Sequence, residues 1–261
     1  MLLRLQAGFL KNLKSMKLYK ADLHIHTVLS PCGDLEMSPK HIITKAREQD
    51  LDILGITDHN TTRQCEVMQQ IGAREGIHIL CGAEINTREE VHCLAFFEDT
   101  VNLKAFEQLM KDHLPDIKND PEKFGYQAVV DEDEQILAQP EKLLISAIDM
   151  TIEEVEQKVH DMGGIFIPAH IDRMRNGIIA QLGFIPETLH CDALEISPFM
   201  DHNSMLAKYG YLEKYMFIQS SDAHYPEDIG KVRTLFYLEK PEFSEVKMAL
   251  AGVKGRKTEI A

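Results

Sequence analysis

The sequence predicts an α/β protein in which a parallel sheet closes into a barrel, and three observations lead there. Apolar, strand-like segments alternate with helical patterns along nearly the whole chain. The length of 261 residues is close to the roughly 250 that such a barrel commonly takes as one domain. Histidines and acidic residues recur at or just beyond the ends of the strand-like segments, which is where barrels of this class carry their chemistry.

The elements follow in order. Leu18 to His24 reads as the first strand. Ser38-Pro39 starts a helix, with a hydroxyl at the N-cap and proline in the first turn, and Ile42, Ile43 and Ala46 give it an apolar face. Leu51 to Thr57 is the second strand, and a helix from about Gln64 to Arg74 stops at Glu75-Gly76. Ile77 to Ile85 is the third strand, with Val91 to Phe97 returning against it through a turn at Asn86 to Glu90. A helical pattern covers Asn102 to Ile117. The periodicity then blurs over residues 119–150, where Pro121, Gly125, the acidic run Asp131 to Glu134 and Pro140 mark an insertion carrying a hairpin or an irregular lid. Thr151 and Glu154 form a capping-box pattern for a helix running to Met162-Gly163. Short strands follow at Ile165 to Pro168, Ala193 to Ile196, Met216 to Gln219 and Val232 to Leu238, and a helix at Phe243 to Leu250 closes the series.

Composition narrows the function. With 44% hydrophobic and 27% charged residues the chain can bury a core without staples. A net charge of -14 argues against wrapping long nucleic acid, although bound cations would offset part of it and a short oligonucleotide stays compatible. The five cysteines form no C-x-x-C pair and suit reduced thiols in the cytoplasm. Cys81 and Cys93 fall within strands as small buried hydrophobes, and Cys32 sits near the first motif as an oxidation liability rather than a ligand. No apolar run is long enough to cross a membrane. Residues 1–17 mix leucines with Arg4, Lys11, Lys14 and Lys17, which reads as an amphipathic N-terminal extension preceding a barrel domain at 18–261.

The motifs carry the chemistry. Strand side chains alternate faces, so His24 and His26 in Asp22-Leu-His-Ile-His-Thr project to one side, as two ligands of a metal would. His-x-His alone is a weak signal. Here it is followed by Thr57-Asp58-His59-Asn60, Ala83-Glu84, His92, Pro168-Ala169-His170 and Ser221-Asp222-Ala223-His224. Mixed imidazole and carboxylate donors suit Zn, Mn or Fe better than Mg or Ca. Two such ions about 4 Å apart can activate a water and clamp phosphoryl oxygens. His41, His78, His113, His160, His190 and His202 lie outside the motifs and read as surface or packing residues.

In this order the motifs resemble the PHP (polymerase and histidinol phosphatase) family, over about Leu18 to Leu238. The resemblance implies a distorted (β/α)7 TIM-like barrel with two to three divalent transition metals. It implies His24, His26, Glu84 and Asp222 around one ion, Glu84 bridging to a second held by His92 and His170, and Asp34, His59 and His224 around a third. Asp34 is the candidate from the loop after the first motif, where Ser30-Pro31-Cys32-Gly33 departs from the family's pattern. The implied activity is a phosphoesterase that hydrolyses a small phosphomonoester, a nucleotide or a short oligonucleotide with a metal-activated hydroxide. Asp58 is expected to orient the neighbouring ligand His59, and Arg173 or Arg175 to bind the substrate phosphate. The alternative is a non-catalytic, metal-stabilised binding or polymerase-accessory domain, which the complete donor set disfavours. A barrel amidohydrolase would need a bridging lysine or carboxylated group that is not evident here.

Overall fold

The computed structural model describes residues 16–260. The amphipathic extension therefore lies outside the described residues, apart from Met16 and from Lys17, which already belongs to the first strand. The elements that build the ring are β1 (Lys17–Ile25), β2 (Ile53–Ile56), β3 (His78–Asn86), β4 (His92–Phe97), β7 (Ile165–Pro168), β8 (Leu194–Ile196) and β9 (Phe217–Gln219). A short hairpin, β5 (Val129–Val130) and β6 (Ile136–Ala138), lies in the insertion, and β10 (Thr234–Leu238) and β11 (Lys257–Ile260) end the chain.

β1, β2 and β3 pair in parallel, while β4 runs antiparallel to both β3 and β7. β8 and β9 form a parallel pair of their own. Backbone hydrogen bonds from Ile171 N to Glu195 O (2.9 Å) and from Asp192 N to Phe166 O (3.0 Å) join β7 to β8. On the other side, His26 N donates to Ala223 O at 3.0 Å and Ala223 N to His24 O at 3.1 Å, which joins the end of β9 to β1. The result is a distorted TIM-like barrel rather than a wholly parallel one. The reversal of β4 follows from its connection: residues 87–91 are far too few for a crossover, so the chain must turn back on itself. The strand expected at 232–238 also departs from the pattern. No crossover helix precedes it, and β10 pairs antiparallel with the first half of β1, outside the ring, with β11 beyond it.

The helices obey local rules. α1 (Pro39–Glu48) is capped by Ser38, whose hydroxyl accepts from the His41 N–H, and it buries Ile42, Ile43 and Ala46. α2 (Cys65–Glu75) ends at Gly76 with φ 73°, a left-handed conformation that glycine adopts without strain. α3 (Thr100–His113) is shorter than its pattern, stopping at the extended Leu114 because Pro115 disfavours a helical residue before it. The one-turn helix α4 (Pro121–Phe124) opens the insertion, and α5 (Ile152–Asp161) begins with the full capping box of Thr151 and Glu154. α6 (Ile178–Leu182), α7 (His202–Lys208) and α8 (Phe243–Leu250) complete the set.

One apolar cluster lies between the sheet and its helices. A second takes Leu23, Ile53, Leu80, Phe96, Ile165 and Ile218, together with Val246 and Leu250 of α8. Its members come from the starts of the parallel strands and the end of the reversed one, so it fills the barrel at the end away from the histidines. Gly55 shows how tight the wall is, since a Cβ there would stand 2.3 Å from the Leu23 carbonyl oxygen. Full burial of each aliphatic side chain in these clusters contributes about 1.5–3 kcal/mol. That leaves the opposite, polar end free to carry function.

His160, expected to be a packing residue, bridges two elements: it contacts Glu156 on its own helix and Asp192 before β8 at 3.0 Å. The hydrogen bond it donates to Asp192 raises its pKa against the opposing effect of partial burial, and Glu156 adds to the rise. A raised histidine stabilises the fold fully below its unfolded value of about 6.5 and loses that contribution as pH rises through the folded value. His160→Gln should therefore cost about 1 kcal/mol at pH 6 and much less at pH 9, as measured by urea unfolding at the two pH values.

Candidate metal centre

The polar end of the barrel is organised around Glu84, which is 1% exposed. Its Oε1 stands 3.3 Å from His24 Nε2, 2.8 Å from His92 Nδ1 and 3.1 Å from His170 Nε2. Its Oε2 stands 3.3 Å from His26 Nε2 and 3.1 Å from His59 Nδ1. Five imidazoles thus share one carboxylate. The strands deliver them in register: His59 bridges to Glu84 across parallel backbone, and His92 is the antiparallel partner of Asn86, two residues beyond Glu84. Ala169 N donates to His92 O at 3.0 Å, which brings His170 alongside.

Asp222 completes the innermost group, with Oδ1 at 3.4 Å from both His24 Nε2 and His26 Nε2. The two Nε2 atoms are 3.2 Å apart. Metal–nitrogen bonds of about 2.0–2.1 Å in a tetrahedron imply donor separations of about 3.4 Å, so His24, His26 and Glu84 converge at a spacing that suits one transition-metal ion, with Asp222 beside both rings. His59 Nδ1 and His170 Nδ1 are buried without a hydrogen-bond partner among the described residues. Asn60, His170 and Asp222 have φ of 48°, 28° and 53°, a region that side chains of this kind enter at a cost of order 1–3 kcal/mol.

The charges explain why so many ionisable groups tolerate burial. Burial alone would raise Glu84, but His92, His24 and His59 outweigh it and hold the carboxyl well below its usual range. Burial opposes charge on His24 as well, yet Glu195, Asp222 and Glu84 pull its pKa well up, and His26 reaches about 9 against the same opposition through Asp222 and Glu84. Burial and the charge on His26 push His59 well down and His224 to about 4, despite opposing carboxylates. Without a cation the site thus gathers protons on its two innermost rings.

Eight of the nine residues expected as ligands come together here. Asp34 does not join any group of converging donor atoms; its Oδ1 accepts from the Glu36 N–H at 2.8 Å. In its place Cys32 lies with His26, His59 and His224, all four donor atoms within 4.8 Å of one another.

Asp58 is 1% exposed and out of reach of any substrate. It accepts from Thr27 N (2.7 Å), Thr27 Oγ1 (2.8 Å) and Ser30 Oγ (2.7 Å), and Ser30 Oγ is in turn 3.0 Å from His26 Nδ1. Through Ser30 it therefore orients the His26 ring, and the same hydroxyl accepts from the His59 N–H at 3.2 Å.

Two further residues were not expected. Glu195 Oε2 is 2.9 Å from His24 Nδ1 and accepts from His170 N at 3.1 Å, which leaves the Nε2 of His24 facing inward. Asp22 accepts from Ser221 N, Ser221 Oγ and Gly230 N, tying β1 to the loop that bears Asp222. Burial raises Asp22 to about 6 against those hydrogen bonds. Both were legible as acidic residues inside short apolar runs.

Above these residues opens a cleft of about 630 Å³, lined among others by Ile145, Arg173, Met174, Arg175 and Asn176. Arg173 Nη1 pairs with Asp222 Oδ2 at 2.5 Å, on the oxygen that faces away from His24 and His26. Arg175 is exposed and makes no ion pair among the described residues. Arg88, in the turn before β4, pairs with Asp149. Ile145 belongs to the insertion, which Asn60 fastens down by donating to Leu144 O and Ser146 O at 2.7 and 2.8 Å. Its acidic run is tethered as well, since Glu134 accepts from Ser38 Oγ at 2.6 Å.

A barrel with histidines and carboxylates converging at its strand ends defines a class, and comparison with known proteins identifies it. The PHP domain model matches residues 22–176, and the chain belongs to the PHP domain family. The uncharacterized protein YqxK of Bacillus subtilis is 27% identical over 93% of this chain and 64% of its own length. The solved structure of Endonuclease Q in complex with a 27-mer duplex bearing an abasic lesion superposes with a TM-score of 0.71 at 18% identity, over 92% of this chain and 58% of that one. A putative metal-dependent phosphoesterase from Bifidobacterium adolescentis gives a TM-score of 0.56 at 19% identity, over 78% and 87%. The chain thus spans roughly two thirds or less of the first two proteins. No helix among the described residues is long and apolar enough to cross a membrane.

Glu84→Gln should remove more than one ion per chain, because a neutral amide cannot serve five imidazoles. Glu195→Gln should keep the stoichiometry and weaken affinity about 10- to 100-fold. Elemental analysis and competition with a metal-binding dye check both expectations; equal stoichiometry in the two variants would contradict the sharing of Glu84.

Proposed function

We propose that the chain hydrolyses phosphate esters with two to three bound divalent ions of the Zn, Mn or Fe type. The observation that carries this reading is one carboxylate shared by five imidazoles at the floor of a cleft with a free guanidinium on its wall. His24, His26, Glu84 and Asp222 would hold one ion, Glu84 with His92 and His170 a second, and His59 and His224 would contribute to a third. When bound, such ions lower the pKa of a water and neutralise phosphoryl oxygens.

The chain's own side chains divide the remaining work. Arg175 places a planar, permanently charged donor where the phosphate would lie. Arg173 is a positioning residue, holding the outer oxygen of Asp222 so that the inner one faces His24 and His26. Ser30 and Asp58 fix His26, and Glu195 fixes His24 and the backbone of His170.

A cleft of about 630 Å³ suits a substrate of nucleotide size. With a net charge of -14 the protein does not favour a long duplex, so we assign a small phosphomonoester, a nucleotide or a short oligonucleotide. All five cysteines are free, which suits a reducing cytoplasm.

The test is a panel of p-nitrophenyl phosphate, nucleoside monophosphates, short single strands and an abasic duplex, assayed with Mn or Zn. Hydrolysis of at least one of the first three should exceed that of the duplex, and inactivity on all four would overturn the reading. Arg175→Ala should lower kcat/KM about 100-fold with metal content unchanged, whereas Arg173→Ala should lose metal as well as rate. Parental rates in Arg175→Ala would show that the phosphate is held without it.

A further inference from the structure

The geometry points to Cys32 as a thiolate donor to a metal ion, completing with His59 and His224, beside His26, a site softer than the others in the cleft. Four observations converge on it. The Sγ of Cys32 and one ring nitrogen from each of the three histidines all lie within 4.8 Å of one another. The rings are packed together: His26 stacks on His224 at 4.2 Å between centroids and lies 4.6 Å from His59. His59 is buried, and its Nδ1, although 3.1 Å from Glu84 Oε2, makes no hydrogen bond among the described residues, so the ring is held as a donor at the seam between Glu84 and Cys32. The carboxylate expected in this place, Asp34, joins no group of converging donors, and its Oδ1 accepts from the Glu36 N–H.

The loop holds the thiol there on both sides. Ser30 N donates to Thr27 O at 3.0 Å, Gly33 N to Ser30 O at 2.9 Å, and Asp34 N to His224 O at 2.8 Å. Glycine is required at position 33, where a Cβ would come within 2.6 Å of the Thr27 carbonyl oxygen. The turn therefore closes over His26, and Asp34 contributes its backbone rather than its side chain. Cys32 is exposed at the surface, so the position is open to solvent and to exchange.

A sulfur donor changes the chemistry. The thiol S–H releases its proton to solvent as the sulfur–metal bond forms, so binding displaces one proton from Cys32. Thiolates favour Zn over Mn far more strongly than oxygen donors do. The position built by Cys32 therefore prefers Zn even if the neighbouring sites accept Mn. The Cys32 sulfur is also exposed to oxidants, and a bound ion would shield it.

The inference rests on the reading of the histidines as metal ligands, and the experiment separates the two. The chain is loaded with Co(II), its near-ultraviolet absorption recorded and its metal content measured by elemental analysis. The parent should show a sulfur-to-cobalt charge-transfer band. Cys32→Ser should lose the band and about one ion per chain. Cys32→Asp should keep the ion, lose the band and shift selectivity towards Mn, while Asp34→Asn should resemble the parent. Alkylation of Cys32 by iodoacetamide, followed by mass spectrometry, should slow at least tenfold when Zn is bound. A parent that binds cobalt without the band, a band that survives Cys32→Ser, or an ion lost from Asp34→Asn would overturn the assignment of Cys32 alone. A parent that binds no cobalt would overturn the metal reading together with it.

Discussion

Everything at the working end of this barrel depends on one buried negative charge, that of Glu84. A carboxylate taken out of water costs several kcal/mol unless charge and hydrogen-bond partners are returned to it. The fold returns them as five imidazole rings from β1, the β2 exit, β4 and the β7 exit. Those rings cannot all be protonated, because burial and like charges at such separations both oppose it, as they do at His59, whose pKa is pushed well down. A small multivalent cation satisfies the same carboxylate with every ring neutral. The pattern of donors thus asks for metal on electrostatic grounds, independently of any family resemblance.

Around this charge lies a layer of buried acids whose work is orientation. Asp58, Glu195 and Asp22 each tie two distant segments: Thr27 and Ser30 to the β2 exit, His24 and His170 to β8, and β1 to the loop bearing Asp222. The strands of the ring are short, β8 and β9 having three residues each and belonging to no larger sheet. Side-chain ties therefore substitute for ladder hydrogen bonds where the barrel is least regular. The same residues that fix ring orientation also close the ring, so site and scaffold are stabilised together.

Much of this was legible in the chain. Helix starts at Ser38 and Thr151, the stop at Gly76 and the ligands at strand ends follow from local chemistry, since caps, glycines and period-two alternation act over a few residues. The antiparallel course of β4 was legible in the short turn before it. What was not legible depended on contacts distant in sequence. β11 is a four-residue, largely polar strand that forms because β10 offers it an edge. Glu195 finds His24 across 171 positions, and Ser30 and Asp58 reach His26 by way of a hydroxyl. Asp34 was chosen for its chemical type at a plausible distance in the loop. The tight turn at Gly33 instead brings the preceding cysteine to the metal face, a matter of backbone geometry rather than composition.

The two carboxyl oxygens of Asp222 link the floor of the cleft to its wall. One oxygen looks inward to His24 and His26, the other outward to Arg173, in a residue whose own backbone is held at φ 53°. Such a conformation persists only when neighbouring contacts over-determine it. Here they are the Ser221 N–H and hydroxyl bound to Asp22, and the Ala223 N–H bound to the His24 carbonyl. A guanidinium on the outer oxygen withdraws charge from the inner one, while fixing the plane of the carboxylate towards the two rings. Arg175, two residues on, has no such partner among the described residues and remains free for an incoming anion. The pair of arginines thus divides one loop into an inward-acting and an outward-acting charge.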